Sequence, residues 1–313
     1  KYIDPIKSED PERFDLYGLV LAGIGLAGIA FGLSVAGLNL LPWTIVAALV
    51  AVGTISMTLY VMHARRTGSP VLDFSLLRLS TMRASIYGGF LFRLGIGALP
   101  FLLPLLMQEG FGLTPFQSGL VTFASAVGAM GMKTLAARII RAFGFRNMMT
   151  VNAVVSSVFL AACALFTVTT PLLLIFIILV VGGFFRSLQF TAINTVAYAE
   201  VEPAQMSRAT TLVSVNQQLA ISAGVAVGAF SVESTMAYQH VTELSAAVFP
   251  PAFLVVSIIS AVSAYFFWQM PDDAGHEISG RKAVEISSRK GVEKAAAKAA
   301  SEGTEDARDQ RLG

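Results

Sequence analysis

Residues 171–198 read PLLLIFIILVVGGFFRSLQFTAINTVAY, 28 positions with a single charge, Arg186. A buried strand of a soluble sheet is about 4–8 residues long, and a strand of a membrane barrel alternates apolar with polar residues over about ten. A continuous apolar run of this length is therefore a helix, long enough at 1.5 Å per residue to cross roughly 30 Å of hydrocarbon. Seven more such runs lie at 17–38, 42–62, 84–107, 114–132, 147–169, 209–231 and 247–268, and 40 of the 42 charged residues fall outside the eight. The 313 residues are 55% hydrophobic and 13% charged, with mean hydropathy +0.68, against about 25% charge in a soluble domain. That excludes a water-soluble globule. The expected fold class is an all-α polytopic membrane protein with eight transmembrane helices in a lipid bilayer.

Orientation follows from the basic residues, which cytoplasmic loops retain. Twenty of the 22 Lys and Arg residues lie in five segments: the N-terminal segment (Lys1, Lys7, Arg13), the second loop (Arg65, Arg66, Arg78, Arg83), the fourth loop (Lys133, Arg138, Arg141, Arg146), the sixth loop (Arg208) and the tail after Gln269. The alternate loops, around Asn39, at 108–113, near Thr170 and at 233–245, hold none. Both ends are therefore expected in the cytoplasm, with Glu109, Glu233 and Glu243 outside. The tail, residues 271–313, is too polar to bury a core and is expected to be solvated and disordered, with a transient helix around 292–300. A chain that begins at Lys1 with no initiator Met reads as a fragment lacking its N-terminal part. The net charge of +2 gives no argument for nucleic acid.

The two membrane charges, Arg93 and Arg186, carry the chemical interest. A guanidinium at membrane depth costs at least about 2.5–3.5 kcal/mol, so it faces a bundle interior, a cavity or a fixed partner. Gln189 and Asn194 follow Arg186 on the same helix, and Asn216 and Gln217 lie in the seventh span; such amides either line a substrate route or bond across helix interfaces. Asn216, Ala220, Gly224 and Gly228 recur every four residues, a packing stripe. Pro100 and Pro104 remove backbone donors and kink the third span near its outer end, a candidate gate. No enzyme constellation appears: His63, His240 and His276 are far apart and Cys163 stands alone, so no metal or cofactor site is expected. The P-loop pattern is absent.

Four stretches together resemble the major facilitator superfamily, specifically the C-terminal part of a fourteen-helix drug:proton antiporter of the EmrB/QacA type. They are Ala98-Leu-Pro100-Phe-Leu-Leu-Pro104, Gln108-Glu-Gly-Phe-Gly112-Leu-Thr-Pro115, Arg141-Ala-Phe-Gly144-Phe-Arg146, and Ser214-Val-Asn216-Gln-Gln218 running on to Gly224 and Gly228. The resemblance covers about residues 14–270. It implies an N-terminal cytoplasmic segment (1–16), two linker helices (17–64), a cytoplasmic loop (65–83), a six-helix C-terminal transporter domain (84–270) built of two inverted three-helix repeats, and a cytoplasmic tail (271–313). The bacterial inner membrane is the implied location. The family's cytoplasmic turn reads close to G-R-L-A-D-R-x-G-x-R. Arg138, Gly144 and Arg146 match it, while Arg141 and Ala142 replace its acidic and basic pair.

The function implied is that of the C-terminal portion of a proton-coupled multidrug or small-molecule exporter working by alternating access. Its partners would be the substrate, protons and a missing N-terminal six-helix half. No Asp or Glu lies in the eight runs, so the proton-carrying carboxylate is expected in that half. The substrate-cavity candidates are Arg93, Arg186, Gln189, Asn194, Asn216 and Gln217, and the gate or packing candidates Pro100, Pro104, Gly224 and Gly228. The alternatives are a specific metabolite transporter, for which Arg93 and Arg186 would hold an anion, and a non-transporting membrane scaffold or sensor.

Overall fold

The computed structural model describes residues 15–36, 41–68, 70–272 and 274–275. The expectations for most of the N-terminal segment, the Asn39 turn and the tail with its helix at 292–300 fall outside the described residues. Among the described residues, eight helical segments are long and apolar enough to span a membrane. They are α1 (Leu16–Ala36), α2 (Trp43–Ala64), a broken third span, α5 (Pro115–Phe143), α6 (Phe145–Ala162), α7 (Leu172–Ala197), α8 (Met206–Gln239) and α9 (Phe249–Trp268). Large apolar side chains such as Phe31, Trp43, Phe123, Val158, Leu173 and Ile258 stand exposed on the outer faces, as they do where lipid is the solvent.

The third span divides where its prolines fall. A helix α3 (Ser80–Gly97) stops at Ala98, α4 (Leu99–Leu105) follows, and a wide π-type turn closes the span at Leu106–Gly110. Pro100 has no N–H for the Ile96 carbonyl, so the chain tightens around Ala98, whose carbonyl accepts from Phe101 at 3.1 Å and Leu102 at 2.8 Å. Beyond Pro104 the turn widens instead, with Phe111 N–H donating to the Leu106 carbonyl at 3.0 Å. The expected single kink is thus an interruption followed by a widened turn.

Two helices run past their apolar stretches. At the start of α5 the Thr114 and Gln117 side chains form a capping box ahead of Pro115. The helix then continues to Phe143, carrying Lys133, Arg138 and Arg141 on its last turns. This corrects the expectation of a loop after residue 132: the arginines of the expected turn motif sit on helix, and Gly144 alone turns the chain into α6. Its φ of 75° and ψ of 162° lie where a Cβ clashes and only glycine is at ease. Similarly α8 reaches Gln239 and includes Glu233, and the third span includes Glu109. Both carboxylates occupy exposed positions near helix ends, so the carboxylate-free stretch is the apolar part of each helix rather than its whole length.

α1 pairs with α2 and leans on α8, while α3 packs against α7, α8 and α9, α5 against α7, and α6 against α7 and α9. Two crossings depend on missing side chains. A Cβ on Gly224 of α8 would lie 2.2 Å from the Leu94 carbonyl oxygen of α3, and one on Gly97 would lie 2.8 Å from Ile221 Cα of α8. At the α5–α7 crossing, a Cβ on Gly128 would lie 1.8 Å from the Val180 carbonyl oxygen and one on Gly183 2.2 Å from that of Ser125. Backbones that approach this closely gain dispersion contact, the main attraction between helices when lipid is as apolar as the side chains.

Candidate functional site

The break at Ala98 opens a cleft of about 410 Å³ between α4, α5 and α7, with Pro100 and Pro104 on one wall, Thr122 and Ser125 on another, and Arg186 and Phe190 on the third. Leucines and Ile96 supply most of the remaining lining. Arg186 is the fifteenth residue of the 26 in α7, near mid-depth, and is only partly exposed. Among the described residues no carboxylate pairs with it. It is the one charge in an otherwise apolar and hydroxyl-lined space.

Arg93 does not line the cleft. It is fully buried, its Nη2 donates to Asn194 Oδ1 at 2.6 Å, and its guanidinium carbon is 5.6 Å from the Phe190 ring centroid, within cation–π range. Phe190 also meets Phe92 edge-on at 6.1 Å. Phe190 thus touches Arg93 and also lines the cleft, whereas Arg93 itself is not among the lining residues. Arg93 Nε and Nη1 are buried without an acceptor among the described residues. Two of the sequence-predicted candidates, Arg93 and Asn194, are thus brought together across the α3–α7 contact.

The other amides turn elsewhere. Gln189 is fully buried; its Nε2 donates to the Met149 carbonyl at 3.1 Å, and its Oε1 accepts from Asn152 Nδ2 at 2.8 Å. Asn152 Nδ2 also reaches the Phe185 carbonyl at 2.9 Å. These bonds tie α6 to α7, and Gln189 does not line the cleft. Asn216 Nδ2 donates to the Ile86 carbonyl at 3.1 Å, fixing α8 on α3, while Gln217 is half-buried and Gln218 exposed. Gly224 and Gly228 face α3 and α4 along the same stripe. Sequence reasoning missed Asn152, although a lone amide within Met148–Leu160 was the signal for it.

At the basic end of the bundle, Arg146 Nε donates to the Trp268 carbonyl at 2.8 Å and its Nη1 pairs with Asp272. It thereby ties the start of α6 to the end of α9. Arg138 and Arg141 remain exposed. Glu200 accepts from the Ser80 hydroxyl at 2.7 Å and caps the start of α3, where a carboxylate favours the helix dipole. Among the described residues no group of three His, Cys, Asp or Glu side chains is placed to hold a metal.

Eight apolar spans among the described residues, with a cleft between three of them, define a multi-pass helical membrane protein. The sequence model of the Major Facilitator Superfamily matches residues 86–304, and the chain belongs to that superfamily of transporters. The MdtD proteins of Escherichia coli O139:H28 (strain E24377A / ETEC), Escherichia coli (strain K12) and Shigella boydii serotype 18 are each 31% identical over 275 residues, 85% of this chain and 57% of their own length. They carry the provisional designation multidrug resistance proteins. The chain thus spans little more than half the length of these relatives.

Proposed function

We propose that this chain is the C-terminal portion of a proton-coupled small-molecule exporter of the EmrB/QacA type. In this reading α1 and α2 are the linker pair, and the third to eighth spans form one transporter half, which an N-terminal half completes. The observation that carries the proposal is the cleft beside the interrupted third span: a largely apolar cavity, open at a helix break, in a superfamily whose relatives here are designated multidrug resistance proteins. An apolar wall accepts amphipathic solutes of varied shape, and a broken helix supplies the bendable element that alternating access uses.

The packing supports two inverted three-helix repeats. Exchanging α3 with α7, α5 with α8 and α6 with α9 converts the α3–α8 contact into the α7–α5 contact and α3–α9 into α7–α6. The same exchange carries the Gly97–Gly224 crossing onto Gly183–Gly128. The asymmetry of Lys and Arg supports cytoplasmic ends in the inner membrane. Coupling belongs to the N-terminal half in this reading, because Glu109 and Glu233 lie near helix ends and an arginine does not release its proton.

A second reading is favoured by Arg186 itself. A guanidinium in the cleft without a carboxylate among the described residues suits the anionic group of a specific metabolite. Reconstituting the full-length protein and following efflux under an imposed pH gradient decides between them. Export of a cationic dye that survives Arg186→Gln supports the drug reading, whereas export of an organic anion abolished by Arg186→Gln supports the metabolite reading. Gradient-driven flux by residues 1–313 alone would show that the coupling group has been misplaced. Impermeant thiol labelling of G110C in a background lacking Cys163 tests the orientation, and labelling from the cytoplasmic side only would overturn it.

A further inference from the structure

In the connection between α2 and α3, residues 70–79 are held in place at three points. The Tyr60 hydroxyl, fully buried on α2, donates to the Leu72 carbonyl at 3.1 Å and accepts the Leu72 N–H. Asp73 accepts the Ser75 N–H at 2.9 Å and so caps the 3₁₀ turn Phe74–Arg78. Leu76 is buried in a cluster with Met82, Ala197, Ala209 and Leu212, which joins this turn to α3, α7 and α8. The connection is therefore a fixed wall.

That wall encloses, with the first turn of α8, a cavity of about 640 Å³ lined by Arg65, Arg78, Arg208, Asp73, Ser75 and Gln205, among others. Among the described residues the lining holds three arginines and one carboxylate, Asp73, which accepts from the Ser75 N–H and from Arg208 Nη1 at 3.4 Å. Among the described residues the side chains of Arg65 and Arg78 make no hydrogen bond or ion pair. Arg65 and Arg78 are exposed residues of this lining, and like charges that border one space favour an anion between them. Arg65 is the residue immediately after α2, so the cavity adjoins the end of a helix long and apolar enough to span a membrane.

We propose that this cavity is a binding site for a phosphate-bearing anion, clamped by Arg65 and Arg78 with Arg208 and the Ser75 hydroxyl beside them. The guanidinium fork matches phosphate oxygens in geometry as well as in charge. The site is separate from the cleft beside Arg186 and does not rest on the export reading. Two sources share the chemistry: the phosphodiester of an anionic phospholipid, and soluble phosphate.

The test measures thermal unfolding of the purified full-length protein in detergent. Phosphatidylglycerol, phosphatidylcholine and inorganic phosphate are each titrated against the wild type, against R65Q/R78Q, and against R66Q/R83Q, which removes the same charge from likewise exposed neighbours that do not line the cavity. Phosphatidylglycerol or phosphate should raise the unfolding temperature of the wild type and of R66Q/R83Q, while phosphatidylcholine should not. In R65Q/R78Q the half-saturating concentration should rise roughly 25-fold, about fivefold for each basic residue near an anionic surface. A response to phosphatidylglycerol alone assigns the site to lipid, and a response to phosphate assigns it to the soluble anion. Retention of bound phosphatidylglycerol by the wild type and R66Q/R83Q but not by R65Q/R78Q in native mass spectrometry gives the same answer without relying on stability. Equal responses in the two double variants, or no response to either anion in the wild type, would overturn the proposal.

Discussion

Replacing Gly224 with Ala tests whether close backbone approach holds α8 on α3. The new methyl carbon would sit 2.2 Å from the Leu94 carbonyl oxygen and 3.1 Å from both Ala98 N and Gly97 C, whereas real Cβ atoms essentially never come under 3.0 Å. The obstructing atoms are helix backbone and cannot swing aside, so the helices must part by most of an ångström. A gap of 0.5–1 Å forfeits about a quarter to a half of each contact's attraction. If roughly twenty atom pairs at about 0.15 kcal/mol flank the crossing, separation costs about 1 kcal/mol, and local strain brings the total into the range of about 1–3 kcal/mol seen for overpacking. Gly131 of α5 supplies the control, since a Cβ there meets nothing within 4 Å. Gly131→Ala should stabilise by about 0.5–1 kcal/mol through the better helix propensity of Ala. The same chemical change therefore carries opposite signs at two helix positions. Thermal unfolding of the purified protein in one detergent measures both, and a Gly224→Ala variant as stable as Gly131→Ala would refute the reasoning.

Asn194→Leu removes the acceptor at 2.6 Å from Arg93 and should cost about 1–3 kcal/mol, the penalty of an unsatisfied buried polar group; Asn194→Asp, which supplies a counter-charge, should be more stable than the Leu variant in the same unfolding assay. A double-mutant cycle of Asn152→Leu and Gln189→Met should give a coupling of about 0.6–1.7 kcal/mol, the scale of a hydrogen bond between membrane helices, and additive effects would show that their 2.8 Å contact contributes nothing. For Asp15, burial pushes the carboxyl pKa up, but the Gly18 N–H at 2.8 Å and His63 at 2.9 Å outweigh it, leaving the group below its ordinary value. A depressed carboxylate contributes stability above its unfolded pKa of about 3.9 and loses it as pH falls through the lower folded value. Asp15→Asn should therefore weaken the α1–α2 contact at neutral pH and flatten its acid dependence, as followed by unfolding between pH 7 and 3.

The long apolar runs determined that this chain forms membrane-spanning helices, because backbone polar groups in hydrocarbon must be satisfied within the segment and only length and apolarity decide whether a helix can stay there. The proline pair marked where the third span departs from a straight helix for an equally local reason, the missing N–H groups, although it pointed to a kink where the structure has an interruption. Arginine at membrane depth was legible as a residue needing an interior place, since the cost of exposing it to lipid does not depend on fold. Its partner was not. Gln189 and Asn194 lie five residues apart on one helix and look alike in sequence, yet one bonds to α6 and the other to Arg93 of α3. Rotation of α7 against its neighbours decides which face meets which helix, and that rotation is set by crossings such as Gly128 on Gly183. Helix ends were misread for the converse reason: beyond the hydrocarbon, charge no longer marks where a helix stops, so α5 carries Arg138 and Arg141 onward until Gly144 turns the chain. The arginine cavity at the end of α2 was beyond sequence reading altogether. Arg65, Arg78 and Arg208 are brought to one space only because Tyr60, Asp73 and Leu76 fold the connection back against α8, a long-range arrangement that no local pattern of residues encodes.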